Sequence, residues 1–295
     1  MRYVMKQVFL VILLAFGFVA GAQNVTVRKP KKQKPTTTQV APKKHKSQSK
    51  PTKGGTVKRV TTKASYSNGT LTVNGIKYNM VWVDGGTFRM GATPEQDSDA
   101  YSDEKPVHSV TLSSYYIGKT EVTQALWKVV MGNNPSYFKG DNLPVEDVSW
   151  NDCQAFIRKL NSLTGQNFRL PTEAEWEFAC RGGNNSRGYK YCGSNYIDNV
   201  AWYDGNTGDK THPVATKSPN ELGIYDMSGN VWEWCSDWKG DYSSGAQTNP
   251  KGPYDGSDRV IRGGSWLDGA RSCRSSSRTN SPGYRGNYLG LRLSL

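Results

Sequence analysis

Gly223-Ile224-Tyr225-Asp226-Met227-Ser228-Gly229-Asn230-Val231-Trp232-Glu233-Trp234 is the stretch on which the reading of this 295-residue chain turns. Its aromatic piece, 231–234, is entered through Ser228, Gly229 and Asn230, residue types that favour turns. The same texture runs from 181 onward without a helical period, which predicts short strands joined by long, turn-rich loops. Loops of that length inside a compact domain need a disulfide, a metal or dense side-chain bonding to hold them. Asp226 and Glu233 stand seven residues apart around the glycine-bearing turn. Ca²⁺ takes roughly six to eight oxygens from carboxylates and backbone carbonyls, and such a loop supplies both kinds. The competing reading has both acids bonded to turn or helix-cap N–H groups.

Upstream of Arg181 the helical pattern is clear. Leu170-Pro171-Thr172-Glu173-Ala174-Glu175 contains a Thr-x-x-Glu capping box, opening a helix with Trp176, Ala179 and Cys180 inward. Ser149, with Asp152 in the first turn, caps a helix that buries Cys153, Phe156, Ile157 and Leu160. Another starts at Thr123, presents Leu126, Trp127 and Val130, and stops near Gly132. Residues 71–78 alternate around Asn74-Gly75 and predict a hairpin. Residues 80–90 predict a strand pair around Asp84-Gly85-Gly86. Trp150-Asn151-Asp152 matches the calcium triplet of sugar-binding lectins, but at the head of an amphipathic helix Asn151 and Asp152 read as first-turn residues.

The net charge of +13 is unevenly spread. Residues 23–65 carry thirteen Lys or Arg and no acid, whereas 66–295 carry 23 basic residues against all 25 acidic ones. The three parts are therefore a signal peptide at 1–22, a basic linker at 23–65, and a domain at 66–295. In 1–22, Arg2 and Lys6 precede an apolar run over 8–20 and an Ala20-Gly21-Ala22 cleavage site. No Cys precedes Cys153, so a lipid-anchored cysteine at the mature N-terminus is not expected; the protein is expected to be exported, periplasmic or secreted. The Lys/Pro/Thr-rich linker lacks the apolar side chains to offset its ordering entropy and is expected to be disordered. It reads as a solvated spacer, or alternatively as an electrostatic contact to an anionic envelope surface. No nucleic-acid partner is expected of the nearly neutral domain.

Only His108 and His212 fall in the domain, and there is no HExxH, GxSxG or GxxxxGK[ST] motif. Cys153, Cys180, Cys192, Cys235 and Cys273 are odd in number, so at least one stays free or pairs outside the chain. Cys153 and Cys180 read as buried small hydrophobes. Cys273, in Arg271-Ser272-Cys273-Arg274, reads either as a thiolate stabilised by guanidinium charge or as a disulfide or buried thiol.

Several further motifs fall in one order. They are Val83-Asp84-Gly85-Gly86-Thr87-Phe88-Arg89-Met90-Gly91, Thr120-Glu121-Val122-Thr123, Val148-Ser149-Trp150, Arg169-Leu170-Pro171-Thr172-Glu173-Ala174-Glu175-Trp176-Glu177, the 223–234 stretch, Arg262-Gly263-Gly264-Ser265-Trp266 and Gly290-Leu291-Arg292. Over 80–295 the chain thereby resembles the sulfatase-modifying factor family, which includes the formylglycine-generating enzymes. The resemblance implies an α+β fold, a C-type-lectin-like variant with little regular secondary structure and about three helices on short antiparallel strands.

It also implies an oxidase that uses O₂ and copper, the copper held by two cysteines with four residues between them. Laid onto this chain, those positions are Asp268 and Cys273. Cu(I) prefers soft thiolates to a hard carboxylate. Ser265 and Trp232 match positions lining the family cleft. Calcium is implied at Asp226, Gly229, Val231 and Glu233, and a second calcium at Asn199, Val200 and Asp209. The expectation is an exported family domain that has lost the copper oxidase reaction and binds a protein segment or a glycan. The rivals are an active oxidase and a structural component of an envelope assembly.

Overall fold

The structure, a computed structural model, describes residues 62–295. The expected signal peptide and all of the linker up to residue 61 lie outside the described residues. Strand β1 (Ala64–Ser67) begins two residues ahead of the boundary that composition marks. Among the described residues no helix is long and apolar enough to cross a membrane.

β1 pairs antiparallel with β2 (Thr70–Val73), and β2 with β3 (Ile76–Val83) across the expected turn, where Asn74 and Gly75 have φ of 47° and 86°. The strand pair expected over 80–90 does not form. β3 pairs instead with β6 (Tyr115–Gly118), and β4 (Gly86–Met90) with β5 (His108–Leu112). The cause is Gly85, packed so closely on the β5–β6 connection that a Cβ there would stand 2.6 Å from the Leu112 carbonyl oxygen. Two connections thus cross at one glycine and send four strands into two sheets.

Three helices follow as their caps predict. Thr123, Ser149 and Thr172 each accept a backbone N–H three residues on, opening α1 (Gln124–Met131), α2 (Trp150–Thr164) and α3 (Glu173–Cys180). Trp127 of α1 stacks on Phe156 of α2 at 4.9 Å. α3 is buried along its whole length. Beyond it the only further α-helix among the described residues is the single turn α4 (Ile197–Val200). Short strands complete the architecture: β7 (Ala201–Trp202) and β8 (Ser228–Gly229) pair parallel. β9 (Trp232–Trp238) lies between β11 (Arg259–Arg262) and β13 (Leu289–Gly290), with β12 (Arg278–Ser281) outermost, while β10 (Gln247–Thr248) runs parallel to β5. The core has two centres, one around Leu126, Phe156 and Trp234 and another around Val110, Trp176 and Phe178.

The long loops are held by both means that do not require an ion. Cys180 is bonded to Cys192, which corrects its reading as a free buried hydrophobe. Cys153 is a buried free thiol, as read. Arg262 pairs with Glu173 and Glu177, Arg278 with Glu173, Arg274 with Glu104, and Arg292 with Glu233, all buried. Buried charges persist only when paired and hydrogen-bonded; these pairs tie strands to α3 and Arg292 to β9, and Arg274 ties its loop to Glu104 in the β4–β5 connection.

Glu146 is a buried acid without such a partner. Glu146 Oε1 accepts the Phe138 N–H at 2.8 Å, but Oε2 has no hydrogen-bond partner. Burial, with Asp147 adding to it, raises the carboxyl from 4.5 to about 7. Between those values the folded state keeps a proton that the unfolded chain has lost, so stability falls as pH rises through this window and levels off above it. Glu146→Gln should flatten that limb, worth up to about 3 kcal/mol. Unfolding profiles from pH 4 to 8 that coincide for the two proteins would contradict this.

Candidate functional site

The entry to β9, the turn after β11 and the one-turn helix Ala270–Cys273 converge on a single cluster. Asp268 is its centre. Its Oδ2 accepts the Trp232 indole N–H at 2.8 Å and also the Ser265 hydroxyl. The Asp268 N–H returns to the Ser265 carbonyl at 3.1 Å, closing a tight turn. Burial raises the Asp268 carboxyl above its ordinary range, with Asp204 adding to this, while the bonds from Ser265 and Trp232 oppose it. The sequence-derived residues Trp232, Ser265 and Asp268 are therefore one hydrogen-bonded set.

Cys273 lies behind that set and is fully buried. Gly264, at φ 75°, lets the sulfur approach; a Cβ there would stand 2.7 Å from Sγ. The thiolate reading of Cys273 is overturned. Arg271 donates to the Asp99 carbonyl at 2.6 Å, and Arg274 is committed to Glu104. Burial first, then Asp268 and Asp204, push the thiol well above its ordinary value. A neutral thiol beside a carboxylate that already accepts two hydrogen bonds is not the soft dithiolate set that Cu(I) requires. These residues do not fit copper.

In front of Asp268 opens a cleft of about 640 Å³, lined by Trp232, Leu267, Asp268, Arg278, Tyr101 and Tyr288 among others. Leu267 is 44% exposed and Tyr101 and Tyr288 over a third, so the rim offers apolar contact around a polar floor. The contribution of Tyr101 from the distant β4–β5 connection carries no local sequence signal.

The expected calcium loop is assembled differently from its reading. Both oxygens of Glu233 are taken by Arg292, at 2.6 to 3.1 Å, and Oε2 also accepts the Trp176 indole N–H at 2.6 Å. Gly229 is required for backbone approach, since at φ 81° a Cβ would stand 2.2 Å from the Trp202 carbonyl oxygen. The Val231 N–H donates to Glu121. Of the two carboxylates Asp226 alone keeps an oxygen open: Oδ2 accepts the Ala215 N–H at 2.7 Å, while Oδ1 is buried without a partner. Burial, aided by Glu233, raises this carboxyl to about 6. Among the described residues no three His, Cys, Asp or Glu are grouped to hold a metal ion. A hard cation thus fits Asp226 and not Glu233 as placed. In the second set, the Asn199 carbonyl accepts the Ser218 N–H, Val200 is buried, and Asp209 is exposed, with no hydrogen bond joining it to the other two.

The model of the sulfatase-modifying factor enzyme 1-like domain matches residues 72–295. The chain is 38% identical over 248 residues to the chaperone protein LppX of Paenibacillus barcinonensis, covering 67% of this chain and 82% of that one. It is 31% identical over 293 residues to the formylglycine-generating enzyme of Thermomonospora curvata, covering 74% and 93%. Among solved structures, Treponema denticola variable protein 1 superposes with a TM-score of 0.69 at 38% identity, covering 76% of this chain and 97% of that one.

Proposed function

This chain belongs to the sulfatase-modifying factor enzyme 1-like family, and on that premise we propose that it is an exported binding domain that has lost the copper oxidase reaction. One observation carries the reading: the Asp268 carboxylate, at the position where the resemblance implies the oxidase's other copper cysteine, is held by Ser265 and Trp232. What remains is a cleft of sugar or side-chain size with an aromatic rim, suited to a protein segment or a glycan. Similarity to a protein named as a chaperone, as well as to oxidases, supports a role for this fold without the oxidation. The Cys180–Cys192 disulfide supports export, because such bonds persist in oxidising compartments.

The purified chain, supplied with copper, O₂ and a Cys-x-Pro-x-Arg peptide, should form no formylglycine by mass spectrometry. Conversion above the copper-free background would overturn the reading.

Calcium belongs to the same proposal at Asp226, whose open Oδ1 would be joined by backbone carbonyls of Gly229 and Val231 while Glu233 stays with Arg292. An ion present at a hundredfold its Kd stabilises by about 2.7 kcal/mol, or roughly 5–10 °C for a domain of this size. Chelation should therefore lower the melting temperature of the wild-type chain and leave that of Asp226→Asn unmoved. Equal response of the two proteins would remove Asp226 from the site.

A further inference from the structure

A second cavity, of about 630 Å³, is lined by Trp150, Gln154, Arg169, Glu175, Lys251 and Arg259 among others, and shares no lining residue with the Asp268 cleft. Arg259, on β11, is clamped between two indoles. Its guanidinium carbon lies 3.3 Å from the ring centre of Trp238 and 4.0 Å from that of Trp150. With both faces covered, the group presents only its edge. One N–H is used, donating to the Ser236 carbonyl at 2.6 Å, and Nε is buried without a partner.

No carboxylate pairs with Arg259 among the described residues. The neighbouring acid Asp237 gives Oδ2 to the Glu173 N–H and the Ser236 hydroxyl. Burial, with Glu173, raises that carboxyl to about 7, so it is a weak counter-charge. The acidic side chain on the cavity wall itself, Glu175, is taken by Arg169 through two bonds of 2.6 and 2.7 Å. Lys251 is exposed and makes no ion pair among the described residues, and the Gln154 amide has no hydrogen-bond partner there. The cavity therefore holds two cations without an ion-pair partner among the described residues and a free amide, and the one acidic side chain that lines it, Glu175, is already paired.

An edge-on guanidinium matches the paired oxygens of a carboxylate or sulfate, and a nearby ammonium adds a point charge. The volume is that of a small-molecule site rather than of a bare ion. We propose that this cavity binds a sugar-sized ligand bearing a carboxylate or sulfate group, gripped by the edge of Arg259 and neutralised by Lys251.

Calorimetric titration of the full chain with glucuronate, glucose 6-sulfate, inorganic sulfate and glucose tests this. At least one charged sugar should bind, more weakly as salt rises, and glucose should not. Arg259→Gln should weaken binding by about tenfold or more. Because that change also opens the indole clamp, the exposed variant Lys251→Ser is the safer arm; it should weaken binding while leaving the melting temperature unchanged. The better of the two charged sugars identifies the oxyanion. Glucose binding as tightly, a Lys251→Ser variant with wild-type affinity, or no binding of either charged sugar at millimolar concentration overturns the proposal. Inorganic sulfate binding as tightly as both sugars reduces the site to an adventitious ion only.

Discussion

Arg292→Leu should cost about 3–5 kcal/mol of unfolding free energy, the loss associated with leaving one half of a buried ion pair uncompensated. Arg292 and Glu233 are both fully buried and meet through three N–H···O contacts of 2.6 to 3.1 Å. The guanidinium also donates to the carbonyls of Gly118 and Tyr225, at 2.9 and 2.8 Å, so its removal orphans two backbone acceptors as well as a carboxylate. Denaturant unfolding would report the effect as a lower midpoint at an unchanged slope. The paired replacement Arg292→Leu with Glu233→Leu should recover part of the loss, because no charge is then left buried alone. The indole N–H of Trp176, which donates to Glu233, keeps the recovery incomplete. A single variant within about 1 kcal/mol of wild type would mean that water reaches Glu233 when the arginine is gone. Trp232 immediately precedes Glu233 on β9, so the same variant should loosen the floor of the Asp268 cleft.

What the sequence makes legible in this protein is short-range. The caps at Thr123, Ser149 and Thr172 and the Asn74-Gly75 turn are each closed by partners within a few residues, and each forms where local chemistry places it. The α+β, C-type-lectin-like architecture follows from motif order and loop texture, and the structural neighbours share it. What stays hidden are choices between distant partners. Nothing near Glu233 says that its charge is met by Arg292, 59 residues on, and nothing near Cys180 separates a disulfide from a buried thiol. The flanking arginines of Cys273 mislead for the same reason. Proximity in sequence suggests that they face the sulfur, but Arg274 reaches Glu104, 170 residues away. In the 80–90 segment both strands are legible and their partners are not, because Gly85 parts them only through contact with the β5–β6 connection.

Asp268→Cys should turn a chain that retains no Cu(I) into one that does. The substitution acts twice. It places a second soft donor five positions before Cys273, and it removes a charge that helps hold the Cys273 thiol protonated. Burial remains the larger influence on that thiol, so the gain depends on the sulfur being reachable once the carboxylate is gone. The change also has a cost. Ser265 and the Trp232 indole lose their shared acceptor, and leaving buried donors unsatisfied costs about 1–3 kcal/mol each. Asp268→Ala carries the same cost without the new ligand and is the proper control. In competition with a Cu(I) chelator, Asp268→Cys should hold the metal while the wild type and Asp268→Ala release it. Retention by the wild-type chain would remove the basis for its lost oxidase reaction. A folded Asp268→Cys that releases copper would place the loss deeper, in the burial of Cys273 behind Gly264, and one ligand substitution would then not account for it.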